Sequence, residues 1–248
     1  MNSLNAICKM IHDPRPIAPV NPEGLDDIAW SLLNESETLQ PESPASLSLD
    51  DLMIEQTSPR DQQNNKILYV FDKSLEALKQ RGFQRHLRPS EAFKVIIDAI
   101  ENPSSKYKPL KEDMLSSHGE WLSIALERTK PSELTFYLDP ENLIWNGSQY
   151  VVKGSLQYSG KQSFPISKNI PSQQYVDLNK FPNELVKFLY SRKFKDLPKI
   201  MQSGDKRAQT WLPQKGIVRP CYHNGFNGFV VGSDYFDRAS RGVRVAKN

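Results

Sequence analysis

This 248-residue sequence has few of the residues that carry metal or nucleophilic chemistry: two cysteines and four histidines. Cys8 lies in a segment that we expect to lack a core, so we do not expect a structural disulfide with Cys221. We expect the protein to reside in a reducing compartment. The scattered histidines and distant cysteines have none of the spacings typical of metal sites. The sequence therefore predicts neither a metal nor another cofactor.

Long apolar runs are also absent. The longest strongly apolar run, residues 67–71, is far shorter than the roughly 20 residues that a membrane-spanning helix needs. The apolar patch at residues 4–11 is interrupted by Lys9 and does not have the organisation of a signal peptide. We therefore expect a cytoplasmic protein with no membrane partner.

Charge is distributed unevenly along the chain. Residues 1–65 contain three basic and eleven acidic residues, a balance of −8, whereas residues 66–248 contain 29 basic and 18 acidic residues, a balance of +11. Seven prolines divide the first 65 residues into short pieces, which is typical of a disordered acidic leader. The basic remainder favours a polyanionic partner, DNA or RNA.

Two segments of this leader, residues 24–33 and 48–54, share the pattern Leu-Asp-Asp followed by Ile or Leu. The paired aspartates fall in a potential first helical turn, where negative charge is favourable. One interpretation is a pair of short helices that recruit a protein partner. The alternative is a chance match in a low-complexity acidic segment. The residues that would contact the partner are Leu25, Ile28, Leu32, Leu49 and Leu52.

The order of the predicted elements indicates an α+β fold with two small helical units, each closed by a β-hairpin in a winged-helix-like order. The predicted divisions are a disordered acidic leader (1–65), a first helical unit (66–160), a linker (161–180) and a second, basic helical unit (181–248).

In the first unit, the pattern predicts helices over about 72–81, 89–101 and 111–128, followed by a hairpin around Asn146-Gly147. In the second unit, it predicts helices over 183–190, 196–201 and 204–211, followed by a hairpin around Asn227-Gly228.

A winged helix places its third helix in the major groove and its hairpin on the backbone. The outer face of this helix in the first unit is acidic, with Glu112, Asp113, Glu120 and Glu127, so the second unit suits nucleic acid better. An ordinary solvated surface around a hairpin core is the alternative. The residues expected to bind DNA or RNA are Lys206, Arg207, Gln209, Lys215, Arg219, Arg238, Arg241 and Arg244.

Three other functions fit less well. Cys221 and His223 would face the same side of a strand, but no third residue orients the imidazole, so a buried inert cysteine is favoured. A metal-dependent nuclease would use Asp139 and Glu141 with Lys153, although Asp139-Pro140-Glu141 is also typical of a turn. An adaptor or effector-like protein would present the basic surface to an acidic protein or membrane face. The sequence favours a non-enzymatic nucleic-acid-binding protein whose acidic tail recruits a partner.

Overall fold

The computed structural model describes residues 48–63, 66–115, 119–202, 209–224, 228–231 and 238–246. The helices in these ranges are α1 (Phe71–Gln80), α2 (Pro89–Glu101), α3 (Lys108–Met114), α4 (Asn183–Tyr190) and α5 (Lys199–Gln202). Short 3-10 turns occur at Leu49–Asp51, Leu178–Lys180 and Phe194–Asp196. The strands are β1 (Leu52–Ile54), β2 (Arg85–His86), β3 (Glu120–Lys130), β4 (Glu133–Leu138), β5 (Leu143–Trp145), β6 (Tyr150–Val152), β7 (Gly160–Pro165), β8 (Tyr175–Asp177), β9 (Gln209–Trp211), β10 (Arg219–Asn224), β11 (Gly228–Val231) and β12 (Gly242–Val245).

The described strands form three sheets, and the predicted α+β class is confirmed. The largest sheet has the order β7-β4-β3-β10-β11-β9-β8. Its pairings are antiparallel except that between β11 and β9. A smaller sheet has the order β1-β12-β2, and β5 and β6 form a separate hairpin. Among the described residues, no helix is long and apolar enough to cross a membrane.

The central strand β3 is buried on both faces of the large sheet. Leu122, Ile124 and Leu126 belong to a core that also holds the inner sides of α2 and α4, whereas Trp121 and Ala125 belong to a second aromatic core on the opposite face. A strand covered on both faces has a nearly continuous apolar run rather than an alternating one. Such a run also contains helical spacings by chance, and for this reason the predicted helix over 111–128 is wrong at β3.

Several local predictions are confirmed. Helix α2 begins at Pro89, and the carboxylate of Glu91 accepts a hydrogen bond from the backbone N–H of Arg88 at 2.8 Å. Helix α4 spans the predicted residues. The turn between β5 and β6 contains Gly147 at φ +98°, a value that favours glycine.

The second predicted hairpin is also present, because β10 and β11 pair, but Gly228 is the first residue of β11 and lies opposite Asn224, so it is not part of the turn as predicted. The predicted helix over 204–211 is wrong where the structure describes it, because Gln209–Trp211 is strand β9. Residues 203–208 lie outside the described ranges.

The winged-helix-like arrangement is not confirmed, because strands from both predicted units join in one sheet: β3 pairs directly with β10. The predicted linker, 161–180, supplies most of β7 and all of β8, the two outermost strands of that sheet. All described residues fall within one compact unit, Ser46–Asn248.

Residues 48–63, assigned to the leader by the sequence analysis, belong to the fold. Leu52 and Ile54 are buried in the main core, and β1 pairs with β12 at the other end of the described chain. The leader prediction therefore extends too far, because an acidic, polar sequence around a three-residue strand hides its two buried side chains.

Candidate nucleic-acid interface

The predicted nucleic-acid-binding residues do not lie on one surface of the described structure. Lys206 and Arg207 are outside the described residues, and only the backbone of Gln209 is described, in β9. The other five are described, and they divide into buried and exposed side chains.

Arg241 is not on the surface that the sequence predicts. Its side chain is fully buried, and its guanidinium group donates to Glu120 Oε1 at 3.1 Å and to the carboxylate of Asp113. It also donates to the backbone carbonyl of Glu55 at 2.8 Å. A guanidinium that already satisfies this many internal acceptors is not available to a phosphate group.

Two more of the predicted arginines act largely within the protein. Arg219 is 9% exposed and donates to the backbone carbonyl of Tyr150 at 3.2 Å. The guanidinium of Arg238 lies 4.1 Å from the centre of the Tyr222 ring, a cation–π contact. Tyr222 itself is 5% exposed, so its ring is not a free stacking surface.

Lys215 and Arg244 are exposed but belong to different regions. Lys215 forms a β-bridge with Arg128, near the end of β3. The segment that leads into β12, the strand of Arg244, forms a β-bridge with Glu120, at the start of β3. These two positions on β3 are eight residues apart, which is about 26 Å along an extended strand. Arg244 therefore does not extend a surface that Lys215 begins.

Burial of Arg241 is explained by a cluster of charges at the start of β3. Lys66 Nζ lies 3.4 Å from Asp113 Oδ1 and 3.5 Å from Glu120 Oε1. Burial alone would raise the pKa of Glu120, but the positive charges of Arg241 and Lys66 outweigh it and lower that pKa. Asp113 behaves in the same way, with Lys66 and Arg241 as the main cations. The cluster keeps both carboxylates ionised and joins the two ends of the described chain.

His223 lies beside this cluster on β10, opposite Glu120 on β3. It is completely buried, no described residue forms a hydrogen bond with either ring nitrogen, and its ring centre is 6.0 Å from that of Phe93. Burial lowers the pKa of His223 to about 4, against the opposing effect of Glu120. The imidazole is therefore neutral at physiological pH.

Cys221, two residues before His223, is a buried free thiol. Burial raises its pKa well above the ordinary value, which disfavours the thiolate that a nucleophile requires. This agrees with the sequence interpretation of a buried cysteine.

The acidic residues considered for a nuclease are held apart in separate ion pairs. The Asp139 carboxylate accepts hydrogen bonds from Arg88 and Ser159 at 2.5 Å each. Glu141 pairs with Lys79 at 3.2 Å. No cluster of three or more potential metal ligands occurs in the described part of the chain, and Lys153 is exposed.

The predicted docking leucines fall into two groups. Leu25, Ile28 and Leu32 lie outside the described residues. Leu52 is buried in the core and Leu49 packs partly against it. The second Leu-Asp-Asp segment forms a 3-10 turn, capped by Ser48, that leads into β1. Leu49 and Leu52 therefore contact this protein's own core.

Sequence reasoning missed a different set of cations. Seven lysines between residues 153 and 195 are exposed, and none of them forms a salt bridge with another residue of the described ranges. Three of these, Lys187, Lys193 and Lys195, lie within nine residues of each other, from α4 to the 3-10 turn after it. The run is visible in the sequence and lies in the second predicted unit, but a winged helix binds through its third helix and its hairpin, and these lysines belong to neither. The seven are Lys153, Lys161, Lys168, Lys180, Lys187, Lys193 and Lys195.

The segment that carries these three lysines is held firmly against α2. Arg192 forms a two-pronged salt bridge with Glu101, with N···O distances of 2.7 and 2.8 Å. Ser191, at φ +59°, ends α4 and donates to the backbone carbonyl of Ser90 at 3.3 Å. A backbone that is fixed in this way, with lysine ammonium groups exposed to solvent, suits a surface that contacts a polyanion.

Comparison with known proteins identified no relative: no family model, no curated protein and no solved structure matches this chain.

Proposed function

We propose that this protein is a non-enzymatic nucleic-acid-binding protein, and that its phosphate-binding surface centres on Lys187, Lys193 and Lys195. The observation that carries the proposal is the concentration, in residues 153–195, of exposed lysines that form no salt bridge with a described residue. Lysine side chains of this kind neutralise phosphates and release the counterions condensed on nucleic acid. DNA and RNA are equally suited to this contact.

The charge of the chain supports this proposal. Residues 66–248 carry a net charge of +11. Most described arginines form internal ion pairs or hydrogen bonds, so the positive charge that a ligand can reach is carried mainly by lysines. A tail that recruits a protein partner remains part of the proposal, and among its predicted contacts only Leu25, Ile28 and Leu32 are left for that role.

The test is fluorescence anisotropy of the full chain with labelled single-stranded DNA, double-stranded DNA and RNA across a range of salt concentrations. We expect salt-dependent binding. In the variant Lys187→Glu/Lys193→Glu/Lys195→Glu, affinity at low salt should fall at least about tenfold. The slope of log affinity against log salt concentration should decrease by the amount that corresponds to about two to three lost phosphate contacts.

The matched control is Lys73→Glu/Lys79→Glu/Lys106→Glu, which changes the net charge by the same amount. These lysines are also exposed, but each pairs with a carboxylate, on Glu76, Glu141 and Asp50 respectively. An equal loss of affinity in both variants would mean that overall charge, not this surface, drives binding. No binding to any nucleic acid at low salt would reject the proposal.

A second candidate is an adaptor that presents the same lysines to an acidic protein. The observation that favours it is Ile200, which is 50% exposed on α5 beside this lysine segment, since an apolar side chain suits a protein interface better than a phosphate backbone. Selective capture of one acidic protein, with no preference among nucleic acids, is the result expected for this candidate.

A further inference from the structure

A cavity of about 340 Å³ lies beside β8, the outermost described strand on one side of the large sheet. Its far wall is the loop that connects β7 to β8. This volume is at the lower end of the range for small-molecule sites. A mononucleotide is of the appropriate size.

The lining of the cavity combines three kinds of group. Tyr175 is 47% exposed and provides an aromatic ring. Asn169 and Gln174 provide carboxamides, each with one acceptor oxygen and two N–H donors. Lys180 provides a positive charge, and no carboxylate is among the described residues that line the cavity. The set suits a flat ligand with donors and acceptors on its edge and an attached anionic group.

The floor of the cavity is apolar and fixed. Ile170 and Val176 are each buried, with 7% and 4% exposure, and both belong to the main core. They anchor this side of the cavity in the core.

The loop wall is held in place by a buried arginine. Arg128 donates to the backbone carbonyl of Ile170 at 2.8 Å and to Ser172 Oγ at 2.9 Å. Gln173 adopts φ +58°, a left-handed conformation that L residues rarely take, and its N–H donates to the carbonyl of Leu212 at 2.8 Å. These contacts form the cavity before any ligand binds.

We infer that this cavity binds one unstacked nucleotide of a single-stranded nucleic acid. Tyr175 stacks on the base, Asn169 and Gln174 hydrogen-bond to its edge, and Lys168 and Lys180 contact the flanking phosphates. In a duplex the base is stacked and its pairing edge is occupied, so the cavity selects single strands. The inference rests on the proposed function and names the form of nucleic acid that this protein prefers.

The experiment compares full-length variants by anisotropy with a labelled 15-nucleotide single-stranded DNA, an RNA of the same sequence and the corresponding DNA duplex. Tyr175→Ala should weaken binding to single strands about tenfold, as expected when an aromatic partner of one base is removed. Tyr175→Phe keeps the ring and should bind nearly as tightly as the wild type. Duplex affinity should not change in either variant. The DNA and RNA arms show which single strand is preferred.

The matched control is Tyr158→Ala, because Tyr158 is similarly exposed, at 43%, but lies outside the cavity and contacts Tyr137. If Tyr175→Ala and Tyr158→Ala bind single strands equally well, the cavity inference is wrong while the proposed function stands. If the wild type binds no nucleic acid, both are wrong. Should Tyr175→Ala fail to fold, Asn169→Ala, at an exposed loop position, must show a loss confined to single strands.

Discussion

Arginine and lysine have separate roles in this structure. Arg81 pairs with Glu55, Arg88 with Asp139 and Arg241 with Glu120. A planar guanidinium directs several N–H donors at fixed angles and is more weakly hydrated than an ammonium, which suits buried pairs. Lysines mostly keep their charged ends in water. Counting both residue types together therefore overstates the charge that a ligand can reach.

A buried neutral histidine makes stability depend on pH. Burial lowers the pKa of His223 to about 4 and that of His86 to about 3, whereas an imidazole in the unfolded chain takes up its proton near pH 6.5. Stability from the neutral form is fully present above about pH 6.5 and is lost as the pH falls towards the folded-state pKa. For His223 the total loss is about 3 kcal/mol.

The variant His223→Leu tests this effect. Because neither ring nitrogen has a partner among the described residues, leucine removes no hydrogen bond to them, and it cannot be protonated. Between pH 6 and pH 4.5 the free energy of unfolding of the wild type should fall more steeply with decreasing pH than that of the variant, and the two slopes should differ by up to one proton, about 1.4 kcal/mol per pH unit. Urea unfolding at several pH values measures both slopes. Equal slopes would show that His223 does not become neutral on folding.

At the scale of elements, local sequence patterns predicted helices and turns correctly where a single chain segment determines the structure. The Asn146-Gly147 turn needs a residue at positive φ and two adjacent strands, and helix α2 needs a capped first turn and one apolar face. Strand β3 is different. This segment is a strand because it pairs with β4 on one side and with β10 on the other. Strand β10 is distant in sequence, so local patterns do not reveal that pairing.

Strand β12 contains a glycine that tight packing requires. A Cβ atom added to Gly242 would lie 2.3 Å from Phe83 Cγ and 2.6 Å from Phe83 Cβ. Gly242→Ala should therefore lower the free energy of unfolding by about 1–3 kcal/mol, as overpacking does elsewhere. Gly160→Ala is the control, because its nearest neighbour, Leu138 Cδ1, is at 3.4 Å. Urea denaturation of both variants should separate them, and similar stabilities would contradict the packing argument.

At the scale of the whole molecule, the two ends of the described chain are joined. Strand β12 lies between β1 and β2, and the Glu55 carboxylate accepts hydrogen bonds from the Gly242 N–H at 2.8 Å and from Arg81. Together with the buried cluster around Arg241, these contacts link segments almost 190 residues apart. Residues near both ends are thus part of one cooperative structure.

Truncations at two points should give different results. Removal of residues 1–45, which precede the unit that contains all described residues, should leave the melting transition of that unit intact. It also removes a net charge of −5, so if the tethered acidic segment competes for the lysine surface, nucleic-acid affinity should rise. Unchanged affinity would contradict that competition.

Removal of residues 1–65 also deletes Leu52 and Ile54, and should cost about 3–6 kcal/mol of stability, measured by urea unfolding.

The limits of sequence reasoning follow from the range of each interaction. Composition and short-range patterns were enough for the α+β class, for α2 and α4 and for both hairpins, because each depends on neighbours within a few residues. Charge counting was enough to indicate a basic body. These properties require no knowledge of which distant segments meet.

Burial, in contrast, depends on contacts between segments far apart in the chain. Only the folded chain covers both faces of β3, brings Glu120 against Arg241, and places β1 beside β12. The same contacts remove Arg219 and Arg241 from the surface and leave Lys187, Lys193 and Lys195 on it. A basic side chain has the same charge in either place, and tertiary packing alone decides whether that charge meets a carboxylate or the solvent.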